Sequence, residues 1–251
     1  MKLTILTAFP EYTEKLLDTP VIDRAKKNGA LTLTVTDIRA YAGGSFRHID
    51  DSPFGGGKGM ILRCGPVIDA IEASGGKTAK KVLLSPKGGR FTQETAKRYA
   101  EEPELMLICG HYEGIDARIE KHTDELLSLG DFILTGGELA AAVVTDAVAR
   151  LLPGVMKDGV TEEESFENGL LEYPQYTQPA DFRGDKVPEV LLSGNHKKIA
   201  AWRHLRALLD TKRYRSDLYE RLKLSETELK QVEEAEKAAG DTQLDSGTEE
   251  A

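Results

Sequence analysis

The sequence predicts an α/β first domain followed by a small all-helical domain. Three observations carry this reading. Short apolar runs alternate with helical patterns over the first 150 residues, a Pro-Gly pair and an acidic aperiodic stretch end that alternation, and from about residue 187 only helical spacing remains. The later apolar runs lack polar alternation, as parallel strands buried on both faces do.

In chain order, LTILTA (3–8) and ALTLTVTDI (30–38) are predicted strands, rich in Leu, Val and Thr, with a helical segment between them. VLLS (82–85), LMLIC (105–109) and FILT (132–135) are three more short apolar runs bounded by turn chemistry. GPVIDAIEA, TQETAKRYAEE and ELAAAVVTDAVARLL supply the helices, and Pro153-Gly154 stops the last of them. VMKDGVTEEESFENG, polar and without period, reads as a linker. SGNHKKIAAWRHLRALLDT starts at a Ser193 cap and places Ile199, Trp202, Leu205 and Leu209 at helical spacing. The end, AGDTQLDSGTEEA, has the composition of disorder. The expected divisions are 1–156, a flexible linker at 157–170, a helical domain at 171–238 and a disordered acidic tail at 239–251.

At 251 residues and 40% hydrophobic the chain builds a real core, and no run reaches the roughly 18 apolar residues of a membrane span. The N-terminal MKLTILTAFPEYTEKLL has no sustained apolar stretch or small-residue cleavage site, so it is not read as a signal peptide. Cys64 and Cys109 form no CxxC pair; a zinc site or disulfide framework is not expected, and a reducing cytoplasm is. The net charge of −9 argues against a nucleic-acid partner until its distribution is read. Residues 224–251 hold nine acids against Lys230 and Lys237, whereas 193–215 hold seven basic residues and one acid, Asp210.

Ligands of a parallel sheet collect at the carboxyl ends of its strands. There the sequence has SPKGGRF after VLLS, GHYEGID after LMLIC, and SLGD and TGGEL around FILT. Three Gly-bearing loops at equivalent ends make a pocket walled by backbone groups, suited to an adenine and a small amino-acid carboxylate. The glycine-rich DDSPFGGGKGM (50–60) is not a phosphate loop. Lys58 is followed by Gly59 rather than Ser or Thr, and no GxGxxG opens a helix. Asp50 and Asp51 would repel phosphate, but a carboxylate matches the N1–H and N2 amine of guanine; an Asx turn is the alternative. The five histidines are scattered, no Ser-His-Asp triad is recognisable, and His196 and His204 lack a carboxylate-rich setting in the sequence. Trp202 reads as core rather than as a stacking platform.

With these residues assembled, the chain resembles the bacterial tRNA (guanine-37-N1) methyltransferases of the knotted SPOUT superfamily. The resemblance rests on DDSPFGGGKGM, LSPKGGR, CGHYEGID, SLGDFILTGGEL, DAVARLLPGV, ESFENGLLEYPQYTQP and VPEVLLSGNH, in order, with only the acidic tail outside. It implies a deep trefoil knot in the first domain, a homodimer sharing its active site, S-adenosylmethionine as methyl donor, magnesium, and tRNA as partner. It assigns Leu84, Ser85 and Pro86 to the first cofactor loop and Gly110, Tyr112, Glu113 and Gly114 to the second. Ser128, Leu129, Gly130, Leu134, Gly136 and Gly137 belong to the third. Arg150 matches the catalytic arginine, Asp50 a position that reads guanine, and Glu164 the general base, where the family has Asp. His111 and Ala140 also depart from the pattern, replacing Arg and Pro.

The implied chemistry is removal of the guanine N1 proton by a carboxylate while a cation near O6 stabilises developing charge. On sequence alone Arg150 also reads as a basic residue at a helix C-terminus and Glu164 as a solvated acid. Lys197, Lys198, Arg203, Arg206, Lys212, Arg213 and Arg215 would hold tRNA phosphates. Two other classes are weighed. A knotted methyltransferase for another RNA would not be expected to carry DDSPFGGGKGM or the SGNH-bearing helical domain. A non-catalytic RNA-binding module has no use for three strand-end glycine loops.

Overall fold

In the strand Glu104–Cys109 (β6), Leu105, Leu107 and Cys109 enter one hydrophobic cluster while Met106 and Ile108 enter another. Both faces are buried, which explains the unbroken apolar run. The strand lies at the centre of a parallel sheet with Lys2–Thr7 (β1), Thr32–Asp37 (β2), Lys80–Arg90 (β5) and Glu125–Ser128 (β7), in the order β2-β1-β6-β5-β7. This computed structural model describes residues 1–75, 77–157, 159–161 and 163–245, with 239–245 described by backbone alone. The chain divides into two compact units, Met1–Asp158 and Gly159–Ala251.

Pro10–Leu16 (α1) follows β1. On one face of the sheet, Pro20–Lys27 (α2) contributes Ile22 and Ala25, Gln93–Ala100 (α4) contributes Ala96 and Tyr99, and Glu138–Ala149 (α5) contributes Ala141, Val144 and Val148. On the other, Cys64–Ala73 (α3) packs Val67, Ala70 and Ile71. Threonines cap two of these helices: Thr19 accepts from the Ile22 amide and Thr92 from that of Thr95. Asp50–Asp51 (β3) and Ile61–Leu62 (β4) form a small antiparallel pair beside the sheet order.

Two parts of the expected first unit are corrected. FILT is not a strand. The fifth strand is the preceding ELLS of β7, and Phe132 and Ile133 stand 55% and 81% exposed in the loop after it. An apolar run therefore marked a surface, which periodicity cannot distinguish from a buried strand. Nor does β5 end at Ser85. It bulges over residues 85–88 and resumes, so that Leu84 and Gly89 both face Leu127. Gly88 makes this possible, since a Cβ there would overlap the Leu126–Leu127 backbone.

The second unit contains Glu189–Leu192 (α6), His196–Tyr214 (α7), Ser216–Tyr219 (α8) and Glu226–Asp245 (α9). It is not all helical: Asp181–Phe182 (β8) and Asp185–Lys186 (β9) form a hairpin. Its turn puts Arg183 and Gly184 at φ +58° and +96°, the positive-φ pair a tight hairpin needs, of which only the glycine is a sequence signal. The cap of α7 is Asn195, whose side chain accepts from the Lys198 amide at 3.2 Å. Ser193 instead closes α6, donating to the Val190 carbonyl. The stretch expected as a linker forms turns: Phe166 N–H donates to the Leu170 carbonyl, and Ser165 Oγ accepts from the Glu172 amide. Where a disordered tail was expected from 239, the α9 backbone continues helical to Asp245, consistent with its Ala, Glu, Lys and Gln content. Residues 246–251 of that expectation lie outside the described residues.

Candidate active site

The carboxyl ends of β5, β6 and β7 open on one cleft of about 240 Å³. Its wall takes Leu84, Ser85 and Pro86 from the β5 bulge, and Gly110, Tyr112, Glu113 and Gly114 from the loop after β6. Ser128, Leu129, Gly130, Leu134, Gly136 and Gly137 come from the loop between β7 and α5. Every residue that the motifs assign to a cofactor thus lines a single cleft. His111, Phe132, Ile133, Thr135 and Ala140 line it as well.

The loops are fixed by backbone bonds. Gly137 N–H donates to the Gly110 carbonyl at 2.7 Å. A Cβ on Gly137 would lie 2.8 Å from Cys109 Cα, so glycine lets the second and third loops touch. The DDSPFGGGKGM stretch and β4, which follows it, are tied to the second loop. Glu113 N–H donates to the Met60 carbonyl, Leu62 N–H to that of Gly114, and Asp116 N–H to that of Leu62. Gly59, at φ +76°, permits this, since any side chain there would meet Glu113. Asp50 sits half-buried on β3, opposite Leu62 in register, while Asp51 is exposed and accepts from the Ser52 amide. Arg118 bonds Asp116 through its side chain and, after the cost of burial, its backbone amide, holding that carboxyl down to about 2.

Beneath the cleft lies a group that sequence reasoning missed. Glu138, 2% exposed, accepts from Thr7 Oγ1 at 2.8 Å and faces His111 Nδ1 at 3.3 Å. Burial, then the neighbouring Glu138 charge, pushes the Cys109 thiol well up. The available signal was an acid opening an otherwise apolar helix. Arg150 stands half-buried at the C-cap of α5.

In the second unit Glu163, Glu164, Tyr173, His196, Arg203 and His204 line another cavity. Tyr173 donates its hydroxyl to Glu163 at 2.8 Å, and its ring carries the Arg203 guanidinium at 4.6 Å. Glu163 also pairs with Arg203 at 3.9 Å. The basic residues of 197–215 are not equivalent. Arg206 pairs with Asp210, Lys212 with Glu236, and Arg215 with Asp217, whereas Lys197, Lys198 and Arg213 make no ion pair among the described residues. His204 does meet a carboxylate, that of Glu228 at 2.8 Å, a partner too distant in sequence to be read. Trp202 is half-buried on α7, with its ring 6.4 Å from Tyr176.

A family model described as tRNA (guanine-1)-methyltransferase TrmD matches residues 1–221. The chain belongs to this family. A Clostridium beijerinckii protein named tRNA (guanine-N(1)-)-methyltransferase is 49% identical over 232 residues, covering 92% of this chain and 97% of its own. Proteins of the same name from Clostridium perfringens and Bacillus cereus are 47% and 48% identical, covering 92% and 93% of this chain and 98% of theirs. The family match includes both the cleft and α7 and ends before α9.

Proposed function

We propose that the chain transfers a methyl group from S-adenosylmethionine to N1 of guanine 37 in tRNA. The carrying observation is the cleft, gathered from three strand-end loops in a member of the tRNA (guanine-1)-methyltransferase family. Its chemistry fits the donor: Leu84, Leu129 and Leu134 offer apolar surface, Glu113 an anion, and the glycines bare backbone. Gly136 and Gly137 leave no room for a Cβ, so the wall approaches a ligand with its main chain.

When bound, S-adenosylmethionine supplies an electrophilic methyl group. Glu164 removes the N1 proton, which frees the ring nitrogen's electron pair, and Arg150 stabilises the negative charge that develops toward O6. Asp50 accepts hydrogen bonds from the guanine donors. Lys197, Lys198, Arg203, Arg206, Lys212, Arg213 and Arg215 supply the charge that holds phosphates, with the first two and Arg213 the most available. Magnesium, which the family resemblance implies, belongs to the same proposal; among the described residues no group of three His, Cys, Asp or Glu side chains gathers as an ion site.

The same reading carries a trefoil knot through the first unit, a cytoplasmic location and a homodimer with a shared active site. Leu139 and Val143, both exposed on α5, favour the dimer, because apolar side chains left in water gain by being covered. No helix among the described residues is long and apolar enough to cross a membrane. The test is methyl transfer to unmodified tRNA followed by mapping. N1-methylguanine at position 37 supports the reading, and a methyl group elsewhere overturns it.

A further inference from the structure

The buried Glu138 has no part in the proton transfer, yet it joins three places that the cleft depends on. Its carboxylate stands in the first turn of α5, beside Gly137 of the third loop. One oxygen takes the Thr7 hydroxyl from the end of β1, and Thr7 Oγ1 in turn accepts the Phe9 amide at 2.9 Å. The other oxygen meets His111 of the second loop, whose ring is held between Phe9, 4.3 Å away, and Tyr112, 5.2 Å away. A carboxylate 2% exposed is costly to bury unless it is compensated. The helix N-terminus, a hydroxyl and an imidazole supply that compensation.

The fit is too close to be incidental packing. A Cβ on Gly136 would collide with both Glu138 Oε2 and His111 Nδ1, so the third loop crosses directly over the pair. Gly136 and His111 both line the cleft. We infer that Glu138 is a positioning residue: through His111 and Thr7 it sets the spacing of the second and third loops around the methyl donor. This rests on the reading that S-adenosylmethionine occupies the cleft.

The experiment compares Glu138→Ala, Glu138→Gln, His111→Gln and Thr7→Val in the full chain, by calorimetry with S-adenosylmethionine and by steady-state methyl transfer. Loss of an ångström-scale placement costs on the order of tenfold to a hundredfold. Glu138→Ala is expected to raise the Kd and KM for S-adenosylmethionine about tenfold or more while the KM for tRNA stays within about twofold. Glu138→Gln should recover most of that loss, because an amide can accept from Thr7 and still bond the His111 ring nitrogen. A combined His111→Gln, Glu138→Ala variant should bind little worse than either alone, because the two act as one unit. Unchanged S-adenosylmethionine affinity in Glu138→Ala overturns the inference, as does an equal loss for both substrates tracking a lowered Tm. Should Glu138→Ala not fold, Thr7→Val decides: weaker S-adenosylmethionine binding supports the inference, and parental binding overturns it. If the parent protein binds no S-adenosylmethionine, the functional reading fails instead.

Discussion

Gly137 N–H donates to the carbonyl of Gly110 across 2.7 Å, binding the loop that leaves β6 to the loop that enters α5. The two loops share a wall at this point, and a ligand in the cleft meets both. Gly137→Ala adds a Cβ 2.8 Å from Cys109 Cα and 3.1 Å from Gly110 N, neither of which can move as a side-chain tip would. Overpacking of this kind costs about 1–3 kcal/mol. The expected outcome is S-adenosylmethionine affinity at least about tenfold weaker, with some loss of Tm, read by calorimetry and thermal unfolding. Full affinity in Gly137→Ala places the methyl donor elsewhere.

Leu139 and Val143 lie one helical turn apart on the outside of α5, 41% and 50% exposed, while Ala141 and Val144 are buried. An apolar helix with two apolar faces has a second use for the outer one. Val143→Arg is expected to shift sedimentation from dimer to monomer and to abolish methyl transfer, leaving the monomer folded by circular dichroism. An active monomer, parental or variant, defeats the shared-site reading.

Asp116 sits where the second loop meets β4, and its carboxyl is held down to about 2 by the Arg118 side chain. A depressed folded value means the stabilisation is fully present above the ordinary Asp range near 3.8 and is lost as pH falls toward 2. Asp116→Asn should be less stable than the parent at neutral pH, and the difference should close between about pH 4 and pH 2. Denaturant midpoints measured across that range check this, and a constant difference contradicts it.

The three cleft loops are legible because each follows a strand and carries its own glycines, so local chemistry is enough. FILT misled because an apolar run of four has the same composition on a surface as in a core. The Thr7–Glu138–His111 contacts were out of reach because their members are up to 131 residues apart and only the folded sheet brings them together. Of the ion pairs of α7, Lys212–Glu236 was hidden for the same reason, since Glu236 comes from the next long helix, whereas Arg206–Asp210 and Arg215–Asp217 are local.

Those ion pairs grade the basic residues. Lys197, Lys198 and Arg213 are expected to carry more of the tRNA affinity than Lys212 or Arg215, whose charges are already met. Changing the first three to Gln should weaken tRNA binding and reduce the salt slope by roughly 0.7–0.9 per lost phosphate contact, with S-adenosylmethionine affinity untouched. Glu236→Gln, which releases Lys212, should act in the opposite direction. Filter binding from low to moderate salt measures both, and a slope that does not move shifts the RNA contact to another surface.

The base assignment is the sharpest prediction, because two neighbouring acids compete for it and both line the same cavity of the second unit. Glu163 is engaged by the Tyr173 hydroxyl at 2.8 Å and by Arg203 at 3.9 Å, so its charge serves to hold those groups. Glu164 shapes the turn itself, its carbonyl accepting the Glu167 amide. Glu164→Gln keeps size and hydrogen bonding but cannot take the N1 proton, and its single-turnover methyl-transfer rate should fall about 10²–10⁴-fold. Affinities for S-adenosylmethionine and tRNA should change little, which marks loss in the transition state rather than in binding. Glu163→Gln should instead loosen the Tyr173–Arg203 stack, lowering tRNA affinity with the chemical step largely kept. Arg150→Lys retains charge but not the planar fork, so it should lower the same step as Glu164→Gln by a smaller factor. If Glu163→Gln stops the chemistry and Glu164→Gln is silent, the base is Glu163.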